Sequence, residues 1–171
     1  MTQLPPPEHP PYTQFARRRQ IVALGQITMM VGSIDFLTCE LIAGFTGAPS
    51  RAKIDRMSYW AKAQTLDTMS LTIDEPARSV VQRFVTEFRP IIDERNNLIH
   101  GFWNLPLEDE PPENPVWLYR NGVRMERPPE MLETFSERTS GVLAVVLETF
   151  AALQGVSQWS GGTITGPHRF T

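Results

Sequence analysis

VVQRFVTEFRPIIDERNNLIHGFW, residues 80–103 of a chain of 171, carries the first reading of the fold. Val80, Val81, Phe84, Val85, Phe88, Ile91, Ile92, Leu98 and Ile99 recur every three or four residues, the spacing of one face of an α-helix. Asp74 upstream is placed to cap that helix, and Pro76 falls near its first turn, where a missing N–H costs nothing. Gly101 supplies a stop, and Pro90 inside the run predicts a kink or short break.

The same period extends in both directions. Ile21, Leu24, Ile27, Val31, Ile34, Thr38, Leu41, Ile42 and Phe45 predict a long first helix over about 14–45, ended by Gly44, Gly47 and Pro49. Ser50 is placed to cap a second helix over about 51–70, with Ile54, Met57, Ala61, Leu66 and Met69 inward. A last helix over about 130–153 carries Leu132, Phe135, Val142, Leu143, Val146, Phe150 and Leu153. Between the third and fourth helices, Val116–Arg120, Asn121-Gly122 and Val123–Arg127 read as a β-hairpin, because Asn-Gly suits a two-residue type I′ turn. In that register Val116, Leu118, Val123 and Met125 share the face expected on the helices, while Trp117, Tyr119, Arg124 and Glu126 share the other.

The expected fold is all-α: an up-and-down four-helix bundle with a small β-hairpin inserted between helices 3 and 4. Residues 1–13 read as a disordered Pro-rich arm, 14–157 as one helical domain with its insertion at about 102–128, and 158–171 as a flexible tail. Length and composition agree with one globular domain, at 41% hydrophobic and 20% charged residues. Lone Cys39 excludes an internal disulfide, and the start lacks a signal-peptide pattern, so a cytoplasmic location is expected. Gln26, Asp35 and Glu40 interrupt the apolar run 21–45, which argues against a membrane span. Glycine-rich phosphate loops, cysteine pairs and His-x-x-x-His spacing are all absent, so no cofactor and no metal are expected. Of three histidines, His9 and His168 lie in the two tails, leaving His100 as the one a fold can hold.

Arg95 falls on the third helix's apolar stripe, after Phe84, Phe88 and Ile91 and before Leu98 and Phe102. A guanidinium there stays charged and needs acceptors, and Asp35 and Glu40 of the first helix are the expected supports. Asn96 and His100, four apart, stack on one helical face, with Asn97 three residues before His100. His100 also ends the helix, where the macrodipole favours its protonated form.

Arg95-Asn96-Asn97-Leu98-Ile99-His100, near the end of a helix in a small helical domain, resembles the HEPN superfamily, whose signature is Arg, four to six residues, then His, often with Asn after the Arg. The resemblance covers the helical body and concentrates in these six residues and Gly101-Phe102-Trp103. It implies a bundle that commonly forms a homodimer. In catalytic members it implies a metal-independent endoribonuclease, frequently a toxin or a defence protein, whose partner can be an antitoxin. On that reading Arg95 holds the phosphate, His100 acts as general acid and base, Asn96 orients one of them and Asn97 supports the site. One chain supplies one histidine, so a two-histidine scheme needs the dimer. Trp103, Trp117, Tyr119 and Arg124 are candidate RNA contacts, since aromatic and guanidinium planes stack on bases.

Structural readings stand beside these. Arg95 as an ion-pair partner, His100 satisfying the last helix carbonyls, Trp103 in the core and Tyr119–Arg124 as a cross-strand pair need no RNA. Arg17, Arg18 and Arg19 at a helix start read as a solvated face, and Glu108, Asp109, Glu110 and Glu113 as a solvated acidic loop. Taking that loop's four negative charges from the net −3 leaves the rest of the chain at +1, permissive for RNA. Some members of the superfamily are not catalytic, so a dimerisation or partner-binding module is the competing function.

Overall fold

The computed structural model describes residues 11–46, 51–100, 102–104, 117–120, 123–126, 129–156 and 159. Expectations for the arm 1–10, Ser50, the acidic loop, the Asn121-Gly122 turn and the end of the tail lie outside the described residues. The described chain is mostly helix: α1 (Pro11–Thr46), α2 (Arg51–Asp55), α3 (Tyr59–Ser70), α4 (Ala77–His100) and α5 (Pro129–Leu153). Three short strands separate the last two helices: β1 (Phe102–Asn104), β2 (Trp117–Arg120) and β3 (Val123–Glu126). They pair antiparallel in the order β1-β2-β3, with Trp103 opposite Leu118, Leu118 opposite Met125 and Tyr119 opposite Arg124.

α1 begins at Pro11, inside the stretch expected as an arm, since a proline at the first helical position forfeits no hydrogen bond. The single helix expected over 51–70 is two. Ser58 adopts an extended conformation (φ −65°, ψ 156°), and its hydroxyl accepts the Ala61 N–H at 3.2 Å, so a cap replaces helix continuation. At the start of α4 the carboxylate of Glu75, not of Asp74, accepts the Ser79 N–H (3.2 Å) and hydroxyl (2.6 Å). Those bonds hold the Glu75 carboxyl below the usual carboxylate range. The Glu75–Pro76 peptide is cis. α4 then runs through Pro90 to His100 as one helix, without the short break that Pro90 allowed for. α5 ends at Leu153, and Gly155 follows at φ +93°, a conformation side chains with a Cβ rarely adopt.

α1 packs against α5, α3 and α2, and α4 packs against α3 and α5. Their shared core holds Ile27, Ile34, Leu41, Leu66, Phe84, Phe88, Ile91 and Leu98, all at most 2% exposed. Phe84 and Phe88 stack at 5.3 Å between ring centroids. Burying each such side chain contributes about 1.5–3 kcal/mol. Thr38, Thr139 and Thr149 are fully buried on apolar stripes because each hydroxyl donates to a carbonyl one turn back, at 2.7–2.8 Å. Met125 packs against this core from β3. Ile21, expected inward, is exposed, and the side of α1 that carries it faces away from the other helices.

Two further expectations shift. Arg19 is not a solvated charge: its guanidinium forks onto Glu133 of α5 at 2.8 and 2.5 Å and reaches Glu130 at 3.2 Å, holding the Glu133 carboxyl below its usual range. Trp159, inside the expected tail, rests against Gly44 of α1 and meets Phe150 edge-on at 6.0 Å. A Cβ at residue 44 would collide with its indole, so Gly44 makes the seat for that ring.

Candidate functional site

Residues 93–100 form the last two turns of α4, and the cap at Ser58 sets Tyr59 and Trp60 of α3 alongside them. Arg95 is half-buried, and its guanidinium carbon lies 4.9 Å from the centre of the Tyr59 ring. Its Nη1 donates to Asn96 Oδ1 at 3.1 Å, while its Nε is buried with no partner. Among the described residues no carboxylate forms an ion pair with it.

The expected supports are engaged elsewhere. Asp35 accepts from Lys62 Nζ at 2.7 Å, and Glu40 pairs with Arg51. The reason is position. α1 lies against α2 and α3, so their cations reach its carboxylates, while Arg95 stands on α4. Lys62 is 2% exposed and lies 5.6 Å from the same Tyr59 ring, whose edge-on contact with Phe88 (6.5 Å) ties it to the core. Burial pulls the Lys62 ammonium down, but hydrogen bonds to Asp35 and Cys39 outweigh it and leave its pKa raised. The Cys39 thiol is itself pushed up by burial.

The rest of the α4 end is mixed in charge. Asn97 Nδ2 donates to Glu94 Oε2 at 3.5 Å, at the limit of a hydrogen bond. Asp93 accepts from Trp60 Nε1 at 3.1 Å, and Arg89 lies over the Trp60 ring at 5.8 Å while bonding Asp67 at 2.8 Å. His100 is the exposed last residue of α4, one turn beyond Asn96, and among the described residues no hydrogen bond or ion pair holds its imidazole. The structure therefore joins Arg95 to Asn96 and sets Asn97 against Glu94, and among the described residues no hydrogen bond links either Arg95 or Asn96 to the His100 side chain. Beside this end a groove of about 470 Å³ is lined by Glu94, Glu130, Met131, Thr134, Phe135 and Arg138. Of the charged groups lining it, Glu130 is already paired with Arg19 of α1.

Trp103, Trp117, Tyr119 and Arg124 are placed by backbone alone, and their side chains lie outside the described ones. Among the described residues no three His, Cys, Asp or Glu side chains converge as metal ligands. Tyr59 and Lys62 were not legible as site residues. The available signal was an arginine on an apolar stripe together with an aromatic pair directly after a capping serine. No family model, curated protein or solved structure matches the chain.

Proposed function

We propose that this protein is a metal-independent endoribonuclease of the HEPN kind, in which Arg95 holds the scissile phosphate, Asn96 orients that guanidinium and His100 moves the protons. The observation that carries this reading is the Arg95 guanidinium, half-buried on Tyr59, with an unpartnered Nε and no neutralising carboxylate among the described residues. Such a cation is stabilised by any anion that reaches it, and a phosphate offers parallel acceptors to its fork. The exposed imidazole one helical turn from Asn96 can take the proton from a ribose 2′-hydroxyl as that oxygen attacks phosphorus. The P–O5′ bond breaks, a protonated imidazole supplies the leaving oxygen with a proton, and a 2′,3′-cyclic phosphate and a 5′-hydroxyl result. A homodimer supplies a second histidine, so that one serves as base while the other serves as acid.

The finer architecture belongs to the same proposal. An up-and-down four-helix bundle with a hairpin inserted before its last helix is supported by α1 and α4 each lying against α3 and α5, and by the antiparallel pairing of β2 with β3. A cytoplasmic toxin or defence enzyme restrained by an antitoxin is the setting this chemistry fits. The test is cleavage of single-stranded RNA in EDTA, with end-group analysis of the products. Wild-type cleavage with cyclic-phosphate ends, lost in His100→Ala and in Arg95→Ala, supports the proposal; equal cleavage by His100→Ala sinks it.

A non-catalytic partner-binding module is the second reading. Asp93 and Glu94 close to Arg95 in α4 and the absence of a hydrogen bond between Arg95 and His100 favour it, and it predicts no cleavage by wild type together with partner binding that His100→Ala leaves unchanged.

A further inference from the structure

The end of α4 has a second working side besides the one that carries Arg95 inward to Tyr59. Arg89, Asp93, Asn96 and His100 follow one another at spacings of four, three and four. By the 3.6-residue period they share a strip about 60° wide, turned away from the buried stripe of Phe84, Phe88 and Ile91. None of the four is buried, and Asn96 joins the strip to Arg95 through its hydrogen bond at 3.1 Å.

Trp60, in the first turn of α3, lies against this strip. Its Nε1 donates to Asp93 at 3.1 Å, and the Arg89 guanidinium stands 5.8 Å from its ring centre. Arg89 is held in turn by Asp67 at 2.8 Å. The indole is thus oriented at its edge by a carboxylate and steadied by a cation, yet Trp60 remains 45% exposed. Its neighbour Tyr59 is the contrasting case, a half-buried ring with cations from Lys62 and Arg95 upon it and Phe88 at its edge. Fixing a large ring costs rotamer freedom, and a ring left so open recovers little of that cost through burial. What the arrangement provides is a flat apolar plane already in position for something that stacks.

We propose that Trp60 is the platform on which a nucleobase of the bound RNA stacks, at a fixed distance from the phosphate that His100 serves. This rests on the reading of this end of α4 as an RNA site. Asp93 stands seven residues before His100, so the platform lies about 10 Å along the helix from the imidazole, the rise of about three stacked nucleotides. Charge along the strip favours a base over a second phosphate at this position. The Arg89 guanidinium is answered by Asp67, and Asp93 adds a negative charge at the edge of the ring. An uncharged aromatic base loses nothing to that carboxylate, and every base has a face to offer an indole, so the platform fixes where the strand lies without selecting its sequence.

Trp60 also ties α3 to α4 through Asp93, and the experiment separates that role from stacking. The probes are a short oligodeoxyadenylate and a strand of equal length built of abasic deoxynucleotides. Neither has the 2′-hydroxyl that cleavage requires, so binding by the full chain is read apart from catalysis. Oligodeoxyadenylate is expected to quench tryptophan fluorescence, and Trp60→Phe to remove most of that quenching while affinity stays within about threefold, since phenylalanine still stacks. Trp60→Ala should raise the dissociation constant for oligodeoxyadenylate about tenfold, with unchanged helical circular dichroism. The abasic strand, itself about tenfold weaker on wild type, should bind wild type and Trp60→Ala alike.

A Trp60→Ala protein that binds oligodeoxyadenylate as wild type does overturns the proposal. So does one that weakens on both strands equally, which leaves Trp60 as a tie between two helices, and so does a wild type that binds neither strand. Cleavage of RNA in EDTA is read separately. Cleavage with no base-dependent binding at Trp60 removes the platform and keeps the ribonuclease. Base-dependent quenching at Trp60 with no cleavage supports the platform and removes the ribonuclease.

Discussion

Two cations rest on the Tyr59 ring from different helices, and their surroundings differ in kind. Lys62, on α3, is sunk between α1 and α3 with Asp35 at 2.7 Å and the Cys39 thiol as a further partner. Arg95, at the end of α4, has the ring, Asn96 and an idle Nε, with no carboxylate paired to it among the described residues. The first region is complete within the chain, whereas the second has a charge that the described chain does not answer. That asymmetry separates a charge held for structure from one whose role as an anion site is the proposal to be tested.

Removing the shared support should have the largest effect. Phe88→Ala takes away the ring that steadies Tyr59 and leaves a cavity beside Phe84, and is expected to cost about 3–5 kcal/mol by urea denaturation. Lys62→Met breaks the complete region by leaving Asp35 without its cation. Asp35 keeps some access to water, so the expected loss is about 2–3 kcal/mol, at the low end for a broken buried pair. Adding Asp35→Leu should recover most of it, and a recovery of nothing would show that the pair is not the cause. Arg95→Met is the sharpest contrast and the smallest effect. It strands no carboxylate, so stability should stay within about 0.5 kcal/mol of wild type while the RNA cleavage proposed for this site is lost. A loss like that of Lys62→Met would show that Arg95 has a structural partner after all.

The complete region also sets a pH dependence with a definite sign. Cys39 and Lys62 both have folded pKa values raised above their ordinary ones. The native state therefore holds these protons more tightly than the unfolded chain. The stability they contribute is full below the ordinary thiol value of about 8.5 and falls as pH rises through the folded values. Thermal midpoints from pH 7 to 11 should decline, with a shallower slope in Lys62→Met. A flat profile would remove the Lys62–Cys39 link from the account.

Much of the helical plan was legible, because helix periods and caps depend on residues three or four apart. Phe84, Phe88, Ile91 and Leu98 are buried as their spacing requires, and α5 runs within a residue of its expected bounds. Where local signals competed, the reading failed: Ser58 offers the backbone a cap in the middle of a helical pattern, and Glu75 lies one residue closer to Ser79 than Asp74 does. The candidate site was legible as a motif and not as a set of contacts. Arg95 on an apolar stripe identified a cation in need of an answer, but assigning Asp35 and Glu40 to it required knowing which helices adjoin.

Spacing along the chain was enough to make α1 a helix with an apolar side, α4 a helix with an arginine among its inward residues, and Cys39 a thiol without a disulfide partner. These follow from a 3.6-residue turn and from residue counts, which involve no distant neighbour. Which side of α1 is covered and which is bare, that Lys62 and not Arg95 takes Asp35, and that Tyr59 bears both cations arise only when helices far apart in sequence are packed together. Charge pairing and burial are set by distances between elements, and those distances exist only in the assembled core.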